Sequence, residues 1–102
     1  MNELTIKKIK TETGIKFEAE GRIATANERY FDKVLGDALE DGYTRIILNM
    51  QHVTLLTSIG IRIILKTYKS CMEKGGKFQI EAPSEVVKNV LGLSALEQML
   101  VE

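Results

Sequence analysis

Thr57-Ser58, followed by Ile59-Gly60-Ile61-Arg62, is where residue types and spacing could do chemistry. The apolar run Val53-Thr54-Leu55-Leu56 breaks at this hydroxyl pair and a helical pattern restarts behind it, which predicts a serine hydroxyl at a helix N-terminus. The first N–H groups of a helix lack intrahelical partners and its dipole is positive there, so a phosphate would be tolerated. Two readings stay open and are compatible. A hydroxyl can cap the helix, typically worth about 1 kcal/mol. Ser58 can also be a modification site, where phosphorylation adds roughly −1.5 to −2 charges. The helix end attracts such a group by about 0.3 to 1 kcal/mol, whereas pushing the charge into a dry interface costs several kcal/mol, so partner release is expected rather than unfolding.

Behind Ser58, residues spaced 100° apart set Ile59 and Ile63 nearly opposite the expected core stripe of Ile61, Ile64, Leu65, Tyr68, Cys71 and Met72, with Arg62 and Lys66 beside them. An apolar patch edged by basic groups suits protein binding; the alternative is that the C-terminal helices or a second copy of the domain cover both isoleucines. Catalysis finds less support. His52 is the only histidine and shares the expected Ser58 loop, yet no Asp or Glu has an evident orienting role, so it reads as an ordinary polar loop residue and no catalytic residue is assigned. Gly75-Gly76 precedes a strand instead of opening a helix, which makes it a turn rather than a phosphate cradle. No cluster with metal-ligand spacing stands out, and no cofactor is expected.

The elements that must position these groups fit one core. With 102 residues, 44% hydrophobic and 27% charged, the chain is large enough for a single domain, taken as residues 1–102, and too small for two. Lys plus Arg equals Asp plus Glu at 14 each, so no basic excess points to nucleic acid or an acidic membrane. The single cysteine, Cys71, excludes an internal disulfide and fits a reducing compartment. No apolar run approaches the roughly 18 residues a membrane span needs, and the N-terminal residues do not read as a leader, so a cytoplasmic protein is expected.

Leu4 to Ile9 and then Ile15, Phe17 and Ala19 predict a hairpin ended by Gly21. Thr25 and Glu28 form a capping box for a helix bearing Phe31, Val34, Leu35 and Ala38, stopped by Asp41-Gly42. Arg45 to Met50 reads as a central strand covered on both faces with parallel neighbours, and Phe78 and Ile80 mark a fourth strand. Ser84 can cap a helix with Val86, Val87, Val90 and Leu91 that stops at Gly92. Ser94 and Glu97 then open a last helix with Leu96, Met99 and Leu100. The result is an α/β domain with a four-stranded mixed sheet, order β-β-α-β-α-β-α-α. Right-handed crossovers bring three loops to one rim, Gly21 to Thr25, Asn49 to Ser58 and Ala82 to Ser84, the second being longest.

Gly21-Arg22-Ile23, Ile46 to Met50, Val53 to Arg62, Lys74-Gly75-Gly76-Lys77 and Val90 to Leu96, in that order, closely resemble the STAS domain family of bacterial anti-sigma factor antagonists. In that family the serine of an Asp-Ser pair is phosphorylated by a kinase that is also an anti-sigma factor, and Ser58 matches it. The resemblance implies a protein switch: the unmodified domain binds the anti-sigma factor and frees a sigma factor, and phosphorylation breaks the complex. A serine phosphatase would reset it. Thr57 stands where the family has Asp, Ile59 replaces a small residue, Ala24 replaces an acidic one, and Arg62 occupies a position often held by Gly. The implied contact set is Thr57, Ser58, Ile59, Gly60, Arg62, Ile63 and Lys66, on a monomer or weak homodimer. The alternative is a phosphorylation-independent STAS interaction module in another signalling or transporter complex.

Overall fold

Alternating apolar and polar residues build the first hairpin: β1 (Leu4–Lys10) pairs antiparallel with β2 (Ile15–Ile23). A 3-10 turn (Thr25–Asn27) leads into α1 (Glu28–Glu40), followed by β3 (Arg45–Leu56), α2 (Ser58–Glu73), β4 (Lys77–Glu81), α3 (Glu85–Leu93) and the two-residue β5 (Leu100–Val101). The computed structural model describes residues 3–93 and 100–101. The sheet order is sequential, β1-β2-β3-β4-β5, and every pairing after the hairpin is parallel. The four principal strands and the three helices match expectation. Leu100 is a correction: it lies in a strand that extends the edge beside β4 rather than in a helix. The rest of that expected helix, from Ser94 to Met99, lies outside the described residues.

Sequential parallel strands with right-handed crossovers place α1 and α2 on one face of the sheet. The burial pattern agrees, since Ile46, Leu48 and Met50 are buried while Ile47 and Asn49 are partly exposed and Gln51 is exposed. β3 is therefore central with parallel neighbours, as expected, but helices cover one of its faces, not both. Phe17, Phe31, Phe78, Leu35, Ile64, Val87 and Leu91 belong to the single core on the covered face. The other face is held by polar groups. Lys16 Nζ lies 2.6 Å from Glu81 Oε1, which also accepts a 2.9 Å hydrogen bond from Asn49 Nδ2.

Two strand boundaries and one helix face differ from the sequence reading. β2 does not stop at Gly21 but runs on to Ile23. Gly21 takes φ +114°, which L side chains rarely adopt, and the pairing with β3 shifts register there, so the strand kinks without ending. β3 is twelve residues long, and its second half, Gln51 to Leu56, occupies what was expected to be a loop. The stripe on α2 is also rotated: Gly60, Ile63, Ile64, Thr67 and Cys71 are buried, whereas Met72 is 49% exposed. The reason is that α2 is apolar around most of its circumference. Its core line runs opposite the charged strip and contains Gly60 and Thr67, which add little to a hydrophobic pattern.

Candidate functional site: the serine turn and the groove between two helices

The site starts from a one-residue connection. Thr57 is the only residue between β3 and α2, with extended φ and ψ of −90° and 171°. Its N–H donates to the Ile23 carbonyl at 3.1 Å and its hydroxyl donates to the same oxygen at 3.3 Å. Thr57 is thus spent on joining β3 to the end of β2. Its side chain makes no cap to α2, which corrects the capping reading of this pair. On the facing side, Asn27 clasps the turn after β2: Nδ2 donates to the Arg22 carbonyl at 2.8 Å and Oδ1 accepts the Ala24 N–H at 3.0 Å. This replaces the expected Thr25–Glu28 capping box. An Asn three residues after Ala24 was the available signal for it.

Ser58, the first helical residue, is exposed, and its hydroxyl has no hydrogen-bond partner among the described residues. Gly60 explains how tightly the turn is seated. A Cβ there would stand 2.6 Å from Leu56 Cδ1 and 2.8 Å from Ile23 Cγ2, both core side chains, so only glycine lets the first turn of α2 lie against the strand ends.

Beside this turn a groove of about 300 Å³ separates α1 from α2, lined by Glu28, Arg29, Asp32, Ile59, Arg62, Ile63 and Lys66. It brings together four of the expected contact residues. Ile59 is partly exposed and Arg62 and Lys66 are exposed, as anticipated, but Ile63 is only 7% exposed. Neither the C-terminal helices nor a second copy is needed to explain that burial, because α1 forms the opposite wall. Lys66 Nζ ties the walls together at 2.6 Å from Asp32 Oδ1. Glu28, Arg29 and Asp32 were missed from sequence because they become neighbours of α2 only when both crossovers land on one face.

The other expected participants lie elsewhere. His52 is not a loop residue; it sits on β3 opposite Glu20, about 16 Å along the strand from Thr57 at roughly 3.3 Å per residue. A Ser58–His52 pair is therefore not formed. The Ala82–Ser84 loop also stays away from Ser58. β4 pairs with β3 only as far as Asn49–Glu81, after which Ser84 Oγ donates to the Val53 carbonyl at 2.7 Å and Ser84 N–H to Met50 O at 3.2 Å. Two connections converge on Ser58, not three. Ser84 Oγ does accept the Val87 N–H at 3.3 Å, the expected cap, although α3 continues past Gly92 to Leu93. Among the described residues, no three His, Cys, Asp or Glu could hold a metal ion and no helix is long and apolar enough to cross a membrane.

A sequential mixed sheet, α1 and α2 on one face and a groove between those helices beside the Ser58 turn describe a small α/β domain. The chain belongs to the STAS domain family, whose profile matches residues 5–101. A Thermotoga maritima protein named as an anti-sigma factor antagonist is 32% identical over 75 residues, covering 72% of this chain and 66% of that relative. An anti-sigma factor antagonist from Mycobacterium paratuberculosis superposes with a TM-score of 0.85 at 18% identity, covering 95% of this chain and 82% of the other. SpoIIAA, an anti-sigma factor antagonist, matches in its unphosphorylated form with a TM-score of 0.84 at 16% identity, covering 95% and 86%. Its phosphorylated form from Bacillus gives 0.77 at 16% identity, covering 95% and 89%. At these identities the solved structures speak for the fold alone.

Proposed function

We propose that this domain is an anti-sigma factor antagonist that binds an anti-sigma factor with serine kinase activity and so frees a sigma factor, and that phosphorylation of Ser58 breaks the complex. The observation carrying this reading is the Ser58 hydroxyl, exposed and unbonded on the first turn of α2 beside the interhelical groove. A kinase needs a reachable hydroxyl, and a phosphate placed at the edge of a contact surface repels a docked partner more than it disturbs the fold. Thr57 and Gly60 shape the turn; Ile59, Arg62 and Lys66 meet the partner around the floor set by Ile63. ATP is the kinase's ligand, and a serine phosphatase resets the cycle. The protein acts in the cytoplasm as a monomer or weak homodimer.

Thr57 and Ala24, where the family has acidic residues, favour a second reading in which the same surface binds its partner without a phosphorylation cycle. Intact-mass analysis and peptide mapping of the protein from its native cell separate the two: phosphate on Ser58 that varies with growth condition is expected, and a Ser58 unmodified in every condition would favour the second reading. In vitro, Ser58→Ala should bind the anti-sigma factor like the parent and take up no phosphate, and Ser58→Asp should weaken binding by about tenfold or more, equivalent to about 1.4 kcal/mol. A Ser58→Ala protein phosphorylated as well as the parent would sink the assignment.

A further inference from the structure

Ser58, Arg62 and Lys66 follow one another along α2 in steps of four residues, so their side chains share one edge of the helix, and Arg62 and Lys66 also line the groove. Their charges are not equally available. Lys66 is held by Asp32 at 2.6 Å, whereas Arg62 is exposed and makes no ion pair among the described residues. Across the groove stand Glu28, Arg29 and Asp32, of which Asp32 is already neutralised. Helical side chains lean toward the N-terminus of their own helix, so the patch covered by Arg62 is the turn that begins with Ser58. Cβ atoms four residues apart are about 5 to 6 Å from each other, within reach of a long guanidinium.

We propose that Arg62 is the internal receptor for phosphate on Ser58: when Ser58 is modified, the guanidinium turns from the groove to the phosphate and is lost to the binding partner. This rests on the reading of Ser58 as phosphoacceptor. Before modification, Arg62 is a free cation at the edge of an apolar floor, suited to an acidic group of the partner. After it, a dianion on the same helix competes for the same planar fork. Arg–phosphate pairing is charge-assisted and often bidentate, and the tethered phosphate acts at high effective concentration. Lys66 cannot substitute without breaking its bond to Asp32.

The test installs phosphoserine at position 58 genetically, so it needs no kinase, and follows the phosphate's second ionisation, ordinarily near pH 6, by phosphorus NMR. Arg62→Gln should bind the phosphate's proton about three-fold more tightly than the parent, and Arg29→Gln should change it less. Identical titration of Arg62→Gln and the parent would overturn the proposal, as would a larger effect from Arg29→Gln. Without phosphate, Arg62 is exposed and makes no ion pair among the described residues, so Arg62→Gln and the parent, both unmodified at Ser58, should unfold at the same temperature. Failure here leaves Ser58 open as a phosphoacceptor; failure to find phosphate on Ser58 in cells removes the cycle while leaving the contact measurable.

Discussion

At Gly60 the loss of one methyl group decides where Ser58 stands. The first turn of α2 rests on Ile23 and Leu56, both nearly inaccessible, and an added Cβ would meet them at 2.8 and 2.6 Å. Gly60→Ala should gain roughly 1 kcal/mol of helix propensity yet lose about 1 to 3 kcal/mol to overpacking. The net expectation is a destabilisation of about 1 kcal/mol in denaturant melts, with amide shifts concentrated at Ile23, Ala24 and Ser58. An unchanged midpoint and unmoved Ser58 amide would show that the strand ends yield easily. Thr57 works on the same scale. Its hydroxyl and N–H both serve the Ile23 carbonyl, so Thr57 acts as a splint between β2 and β3.

Among the elements, β3 has the largest influence on the site because its length sets the rim in steps. Running seven residues beyond its last pair with β4, to Leu56, it delivers the next residue, Thr57, to the end of β2, while the β4–α3 connection is left beside Met50 and Val53. That connection contains strain: Ala82 has φ +48°, a left-handed conformation that costs an L residue about 1 to 2 kcal/mol. Ala82→Gly should therefore raise stability by about 0.5 to 1 kcal/mol, after the greater entropy of an unfolded glycine is deducted, without altering partner binding. A lower melting temperature would mean that the Ala82 methyl contributes packing that exceeds the backbone strain.

Across the whole molecule, the polar network on the sheet face opposite α1 and α2 makes stability pH-dependent at both ends. Hydrogen bonds from Lys16 and then Asn49 hold the Glu81 carboxyl below its ordinary 4.5, and the bond to Glu81 holds Lys16 above its ordinary 10.5. The Glu81 contribution is full above about pH 4.5 and is lost as pH falls through the lowered folded value; the Lys16 contribution is full below about pH 10.5 and is lost as pH rises through the raised one. Both groups are partly solvated, so the pair is worth no more than about 1 kcal/mol. Glu81→Gln should lower the melting temperature at pH 7 and flatten its fall as pH drops below about 4.5; an acid limb identical to the parent's would exclude Glu81 as a source of that fall. Fold class, element order as far as α3, the parallel setting of β3 and the position of Ser58 on α2 were legible in the chain, because alternation, helical spacing and turn residues are local signals. Tertiary structure alone decided that Leu55 and Leu56 stay in a strand, that α2 faces inward along Gly60, Ile63, Ile64, Thr67 and Cys71, and that Glu28, Arg29 and Asp32 join Ile59, Arg62, Ile63 and Lys66 in one groove. A helix apolar around most of its circumference has no unique inward face until the sheet and α1 supply one, and residues some thirty positions apart become one groove only after both crossovers close on the same side of the sheet.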